Sequence, residues 1–96
     1  MNRDDVLDLL RQHKPLLVQR FGVASLALFG STARGTADAR SDVDVLVRFD
    51  GPATSDRYFG VLFYLEDLLG CDVDLITDKA LRRELRPFVE KDAVDV

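Results

Sequence analysis

The alternation Asp42-Val43-Asp44-Val45-Leu46-Val47-Arg48-Phe49 constrains the fold of this chain more than any other stretch. A β-strand turns successive side chains to opposite faces, so Val43, Val45, Val47 and Phe49 share one face and Asp42 and Asp44 share the other. The valine face is the one expected to be buried. Two carboxylates then stand side by side, their α-carbons roughly 7 Å apart. Like charges held that close repel, so one proton or one cation is expected between them. Hard carboxylate oxygens select Mg²⁺ or Mn²⁺ over softer metals.

Upstream, Ser25 to Phe29 is a short apolar run bounded by turn signals, which reads as a buried central strand. Gly30 permits a backbone conformation barred to other residues and a close approach of ligand to main chain. Ser31 then opens a turn or short helix whose free N–H groups and hydroxyl suit an anionic phosphate. Alone, Gly30-Ser31 would only end a strand; ten residues ahead of a paired aspartate strand, it favours the phosphate role. Arg34 lies on the same connection. Its guanidinium fits phosphate oxygens but serves equally to brace the loop against Asp38 or Asp42. Ser41 fits a local turn better than a site role.

Downstream, Cys71-Asp72-Val73-Asp74-Leu75-Ile76-Thr77 repeats the pattern, with Val73, Leu75 and Thr77 opposed to Asp72, Asp74 and Ile76. If the two strands are neighbours, up to four aspartates converge. Unpaired like charges within a sheet cost stability. The patch therefore reads as a site completed by a divalent cation and a polyphosphate.

Around this centre the chain supplies helices. Asn2 to Asp5 caps an apolar stripe at Val6, Leu7, Leu9 and Leu10, giving a helix over about 4–13. Pro15 breaks it, and a second short helical piece ends near Gly22. His13, at that junction, reads as a surface histidine rather than a catalytic base. Thr54, Ser55 or Asp56 caps a helix with the stripe Tyr58, Leu62, Leu65 and Leu69, widened by Phe59 and Phe63 and closed by Gly70. Its aromatics are expected in the core rather than against a base. Residues 80–85 read as a short basic helix stopped before Pro87, with Lys79, Arg82, Arg83 and Arg86 on a solvated face. Phe88 to Val96 is a final apolar segment expected on the sheet.

The chain has 96 residues, 47% of them hydrophobic and 31% charged, enough for one domain over 1–96 with one modest core. No apolar run approaches a membrane span, and the acidic start is unlike a signal peptide, so the expected location is cytoplasmic. One cysteine excludes an internal disulfide, and one cysteine with one histidine cannot build a structural zinc site. The net charge of −4 argues against bulk nucleic-acid binding. It is uneven: residues 1–40 carry six basic and four acidic side chains, residues 41–96 seven and thirteen.

The residues Leu28-Phe29-Gly30-Ser31-Thr32-Ala33-Arg34-Gly35, Ser41-Asp42-Val43-Asp44 and Val73-Asp74-Leu75 resemble the minimal nucleotidyltransferases of the DNA polymerase beta superfamily, over nearly the whole chain. The resemblance looks closest to the antitoxin half of systems paired with an HEPN-domain partner. It implies an α/β (α+β) fold with a small mixed sheet flanked by helices, and an enzyme. Gly30 and Ser31, with Arg34 beside them, would hold the nucleoside triphosphate. Asp42 and Asp44 match the paired metal ligands, and Asp74 the third carboxylate, which helps activate the attacking hydroxyl. Two Mg²⁺ ions, ATP as donor and a tyrosine of the toxin as acceptor follow from the same likeness. Larger enzymes of the superfamily add an acceptor-binding domain; the segment after Asp74 is too short for one, so a partner protein is expected to present the hydroxyl. A subunit that neutralises its partner by docking alone, or transfer to a small molecule or RNA end, are the alternatives, and self-association stays open. The tail Val94-Asp95-Val96 departs from the family, whose tails commonly end near an aromatic.

Overall fold

The computed structural model describes residues 2–36 and 42–96. Four strands form one mixed sheet in the order β3-β2-β1-β4. Helix α1 (Arg3–Phe21) leads into β1 (Val23–Phe29), which runs straight into the five-residue α2 (Gly30–Arg34). Strand β2 (Val43–Phe49) returns antiparallel to β1. Helix α3 (Ser55–Leu69) then carries the chain over to β3 (Val73–Thr77), parallel to β2. A 3₁₀ turn (Asp78–Ala80), α4 (Arg86–Asp92) and the two-residue β4 (Val94–Asp95) finish the fold, β4 lying antiparallel on the free edge of β1.

The core sits on the valine face, as the period-two pattern requires. Val43, Val45, Val47 and Phe49 meet Leu26 and Leu28 of β1, Val73 and Leu75 of β3, and the apolar stripes of α1 (Val6, Leu7, Leu10, Leu17) and α3 (Val61, Leu65, Leu69). The opposite face carries Asp44, Leu46 and Arg48, with Asp74 and Ile76 beside them. The polar side chains are thus gathered on the face that α1 and α3 leave uncovered.

Several expectations need correction. Pro15 does not end α1, which continues without a break to Phe21 and closes at Gly22 with φ +70° and a hydrogen bond to Val18. A proline inside a helix costs about 3 kcal/mol. Ending the helix at residue 13 would pull Leu17, fully buried, out of the core at about 1.5–3 kcal/mol and unseat Phe21 as well. The apolar stripe decides. Pro87 starts a helix rather than following one: α4 begins at Arg86, with the proline in its first turn, where its missing N–H has no partner to lose. Arg86 fixes that start by donating to the Asp78 carboxylate at 2.9 Å and to the Asp78 carbonyl at 3.1 Å. On α3, the buried stripe includes Val61, while Phe59 and Phe63 lie outside, 48% and 58% exposed, stacked on each other. Gly60 marks where the two helices come close. A β-carbon there would run into the Phe21 ring, so α1 packs against the glycine.

The tail is settled by pairing rather than by an aromatic. Val94 registers with Leu28 and Asp95 with Ala27, the Val96 N–H donates to the Leu26 carbonyl at 3.0 Å, and Lys14 Nζ donates to the Val96 carbonyl at 2.8 Å. Phe88, expected on the sheet, is 72% exposed. Among the described residues no helix is long and apolar enough to cross a membrane.

Candidate active site

Strand register builds the acidic cluster. Phe29, the last residue of β1, pairs with Asp44, and Asp44 pairs with Asp74 on the other side. Asp42 lies just ahead of β2 rather than within it; neighbouring strands lie about 4.8 Å apart, closer than the roughly 7 Å between alternate residues of an extended chain such as Asp42 and Asp44. The strongest carboxyl–carboxyl coupling is therefore across the sheet, between Asp44 and Asp74. Of the two neighbouring carboxylates, Asp74 acts on Asp44 more strongly than Asp42 does.

The electrostatics agree. The Asp44 carboxyl is held above its ordinary range, first by burial, then by the charges of Asp74 and Asp42 and by a side-chain hydrogen bond with Asp74, while Arg34 pulls it back. Asp42 and Asp74 are exposed and Asp44 is half-buried. Of the four aspartates expected to converge, Asp74 and Asp42 both act on Asp44. The fourth, Asp72, lies outside the set that raises Asp44; with burial and Asp42, it raises the exposed thiol of Cys71.

Gly30 closes the corner against this cluster. Its φ of +72° suits glycine, and a β-carbon built on it would collide with Asp44 Oδ2. The main chain of Gly30 and the carboxylate of Asp44 are thus packed directly together. Ser31 follows in the first turn of α2, whose preceding residue Phe29 supplies no side-chain cap. The Ser31 carbonyl is held by Thr36 N–H at 2.9 Å and by the N–H of Gly35, which takes φ +75°. Ser41 and Asp38 lie outside the described residues.

Arg34 is braced, but by a partner the sequence reading did not weigh. Its Nη1 donates to Asp92 Oδ2 of α4 at 2.9 Å. Both residues line an open groove of about 540 Å³ that starts at Phe29 and Gly30 and runs between Ile76, Leu81, Leu85 and Phe88. Neither Asp92 nor the groove stood out beforehand. The expected apolar tail at Phe88 and Val89 was the available signal, and both residues line the groove.

Among the described residues no three acidic, histidine or cysteine side chains are drawn into a finished cation cage. The donor set nevertheless fits a hard divalent cation: hard oxygens only, with the Asp44 carboxylate partly desolvated and within the field of two others.

The nucleotidyltransferase domain family matches residues 10–96. The chain belongs to that family. This nucleotidyltransferase is 42% identical, over 91% of its length and 86% of the relative's, to a Methanocaldococcus jannaschii protein provisionally named a protein adenylyltransferase. It is 37% identical, over 97% of its length and 94% of the relative's, to protein adenylyltransferase MntA of Thermococcus cleftensis. Its fold matches a structure provisionally described as a minimal nucleotidyltransferase, with a TM-score of 0.84 and 33% identity over 100% of this chain and 97% of that one. At 21% identity and a TM-score of 0.61, over 98% of this chain and 67% of that one, the same fold occurs in a complex of a tri-AMPylated Shewanella oneidensis HEPN toxin with an MNT antitoxin.

Other candidate residues of this nucleotidyltransferase resolve into structural roles. His13 has a partner after all, the Tyr64 hydroxyl across the α1–α3 contact, far in sequence and so unseen. Tyr58 donates to the Leu75 carbonyl at 2.6 Å, and its hydroxyl is raised by burial and by the charge of Asp74. Lys79, Arg82 and Arg83 are exposed, while Arg86 is occupied by Asp78 and Glu90.

Proposed function

We propose that this nucleotidyltransferase transfers AMP from ATP to a tyrosine hydroxyl of a partner HEPN toxin and so acts as an antitoxin in the cytoplasm. The observation that carries the reading is the register placing Asp74 opposite Asp44, with Asp42 beside them and Gly30 packed on the same carboxylate. Family membership supplies the reaction class, and the adenylyltransferase and toxin-complex relatives supply the direction for donor and acceptor.

Gly30 and Ser31 receive the triphosphate, because the glycine lets phosphate oxygens reach the main chain and the uncapped start of α2 offers N–H donors. Arg34 adds a guanidinium on the same side. Asp42, Asp44 and Asp74 would hold Mg²⁺, which when bound neutralises charge on the phosphate oxygens. Asp74 accepts the proton of the attacking hydroxyl. The hydroxyl oxygen forms a bond to the α-phosphorus, the bond from that phosphorus to the bridging oxygen breaks, and pyrophosphate leaves.

The test is to incubate the protein with α-labelled ATP, Mg²⁺ and the candidate partner and to measure the partner's intact mass. Addition of whole AMP units, on a tyrosine, abolished in Asp42→Asn and Asp44→Asn, is the expected result. Neutralisation of the partner with its mass unchanged would replace the reading with docking alone, and label in RNA or a small molecule would change the acceptor.

A further inference from the structure

Arg34 ends a five-residue helix and half its side chain faces solvent, yet it is tied to a residue 58 positions away. Asp92 is the more enclosed of the two, its side chain 25% exposed against 49% for Arg34. It is also the better anchored. Asp92 ends α4, and two residues on, Val94 is registered against Leu28 of β1, two residues ahead of Gly30. The Arg34–Asp92 pair thus closes a ring: β1 delivers Gly30 and α2 at one end, receives β4 beside it, and the pair joins the two arms across the groove. The Arg34 charge is already felt at Asp44, so the guanidinium stands within electrostatic reach of the acidic cluster.

A free arginine side chain carries about 2 kcal/mol of rotamer entropy that must be given up on binding an anion. Held beforehand through one terminal nitrogen, it gives up less. From this geometry we infer that Asp92 is a positioning residue: it holds Arg34 where the remaining guanidinium donors meet the donor's polyphosphate. The inference rests on the assignment of Gly30, Ser31 and Arg34 to the triphosphate. It has a sign that simple electrostatics does not share. Removing a negative charge near a bound triphosphate should by itself tighten binding; removing a brace should weaken it.

The experiment is calorimetric titration of ATP, with Mg²⁺, into the wild type and the Asp92→Asn, Asp92→Glu, Arg34→Ala and Arg34→Ala/Asp92→Asn variants, with transfer kinetics alongside. Asp92→Asn is expected to weaken ATP binding about tenfold, a loss within the range of one preorganised charge-assisted contact. It should raise KM with kcat altered less than about threefold, as uniform binding loss does. Asp92→Glu should recover most of the affinity, and Asp92→Asn should add nothing once Arg34 is alanine. Unchanged or tighter ATP binding by Asp92→Asn overturns the inference, as does an equal loss in the Arg34→Ala background. A wild type that binds no ATP overturns the donor-site reading first, and this inference with it.

Discussion

Asp44 stands between two other aspartates with a glycine main chain against it, and its carboxyl lies above the ordinary value of 3.8 for reasons led by burial. A carboxyl raised on folding makes the native state hold more protons than the unfolded one between the two pKa values. Stability must therefore fall as pH rises through that window, and above the folded value the whole loss stands. Asp44→Asn removes the loss and leaves an amide that can still donate to Asp74. In chelator at neutral pH the variant should melt a few degrees above the wild type, with the gap closing below the unfolded value, while nucleotidyl transfer is abolished. Thermal melts across pH 3–8, read about every unit, check the sign. Gly30→Ala tests the same corner from the other side: a side chain at φ +72° costs about 1 kcal/mol and drives its methyl into Asp44. Transfer should drop by about two orders of magnitude, as misplacement near 1 Å does, with only a modest fall in melting temperature. The residues that take part in this cluster were legible because a strand's period of two is visible in sequence. Their order of coupling was not, because Asp44 meets Asp74 through strand pairing, and Arg34 meets Asp92 through a helix and a strand that nothing local in sequence connects.

Among the elements, α1 and α3 show where a local rule gave way. Proline and glycine both weaken helices, and α1 and α3 contain one each. Pro15 is tolerated because Leu10 and Leu17 stay in the core on either side of it. Gly60 is used: α1 comes close enough there for Phe21 to lie against α3 and edge-on to Tyr64, with Arg20 over both rings. In an isolated helix Gly→Ala gains about 1 kcal/mol. Here the added methyl meets the Phe21 ring, and displacing an aromatic from such a contact costs about 0.5–1.5 kcal/mol in the pair alone, before its burial is counted. Gly60→Ala should therefore destabilise, lowering the melting midpoint by about 4–8 °C for each kcal/mol lost; a higher midpoint would mean the ring moves freely. Sequence periodicity placed α3 correctly but put Phe59 and Phe63 in the core, because a stripe of large apolar residues does not reveal that a glycine sets the packing axis. The helix boundary at Pro87 failed for a related reason. Proline marks an end or a first turn equally well, and the ion pair of Arg86 with Asp78 selected the second.

The acidic excess of residues 41–96 includes all three clustered carboxylates. Without a cation this cluster works against folding, and two remedies act on it differently. Sodium chloride screens: between 0.1 and 1 M the screening length shrinks from about 10 to about 3 Å, so repulsion between exposed carboxylates fades generally. Magnesium, if the cluster is its site, binds the native state and not the unfolded chain, stabilising by about 2.7 kcal/mol at a hundred times its Kd. In a domain of this size that is a rise on the order of 10 °C or more. At equal ionic strength, Mg²⁺ should therefore raise the midpoint of the wild type well beyond sodium chloride, with saturation, and the excess should vanish in Asp44→Asn. Sodium chloride should still raise the wild type in chelator, and less so the variant, whose patch carries one charge fewer. Differential scanning calorimetry over a titration of each salt separates the two. Equal effects of the two salts at matched ionic strength would make the cluster a general charge defect instead of a cation site. The polyphosphate would then have to be held by Gly30, Ser31 and Arg34 without a metal.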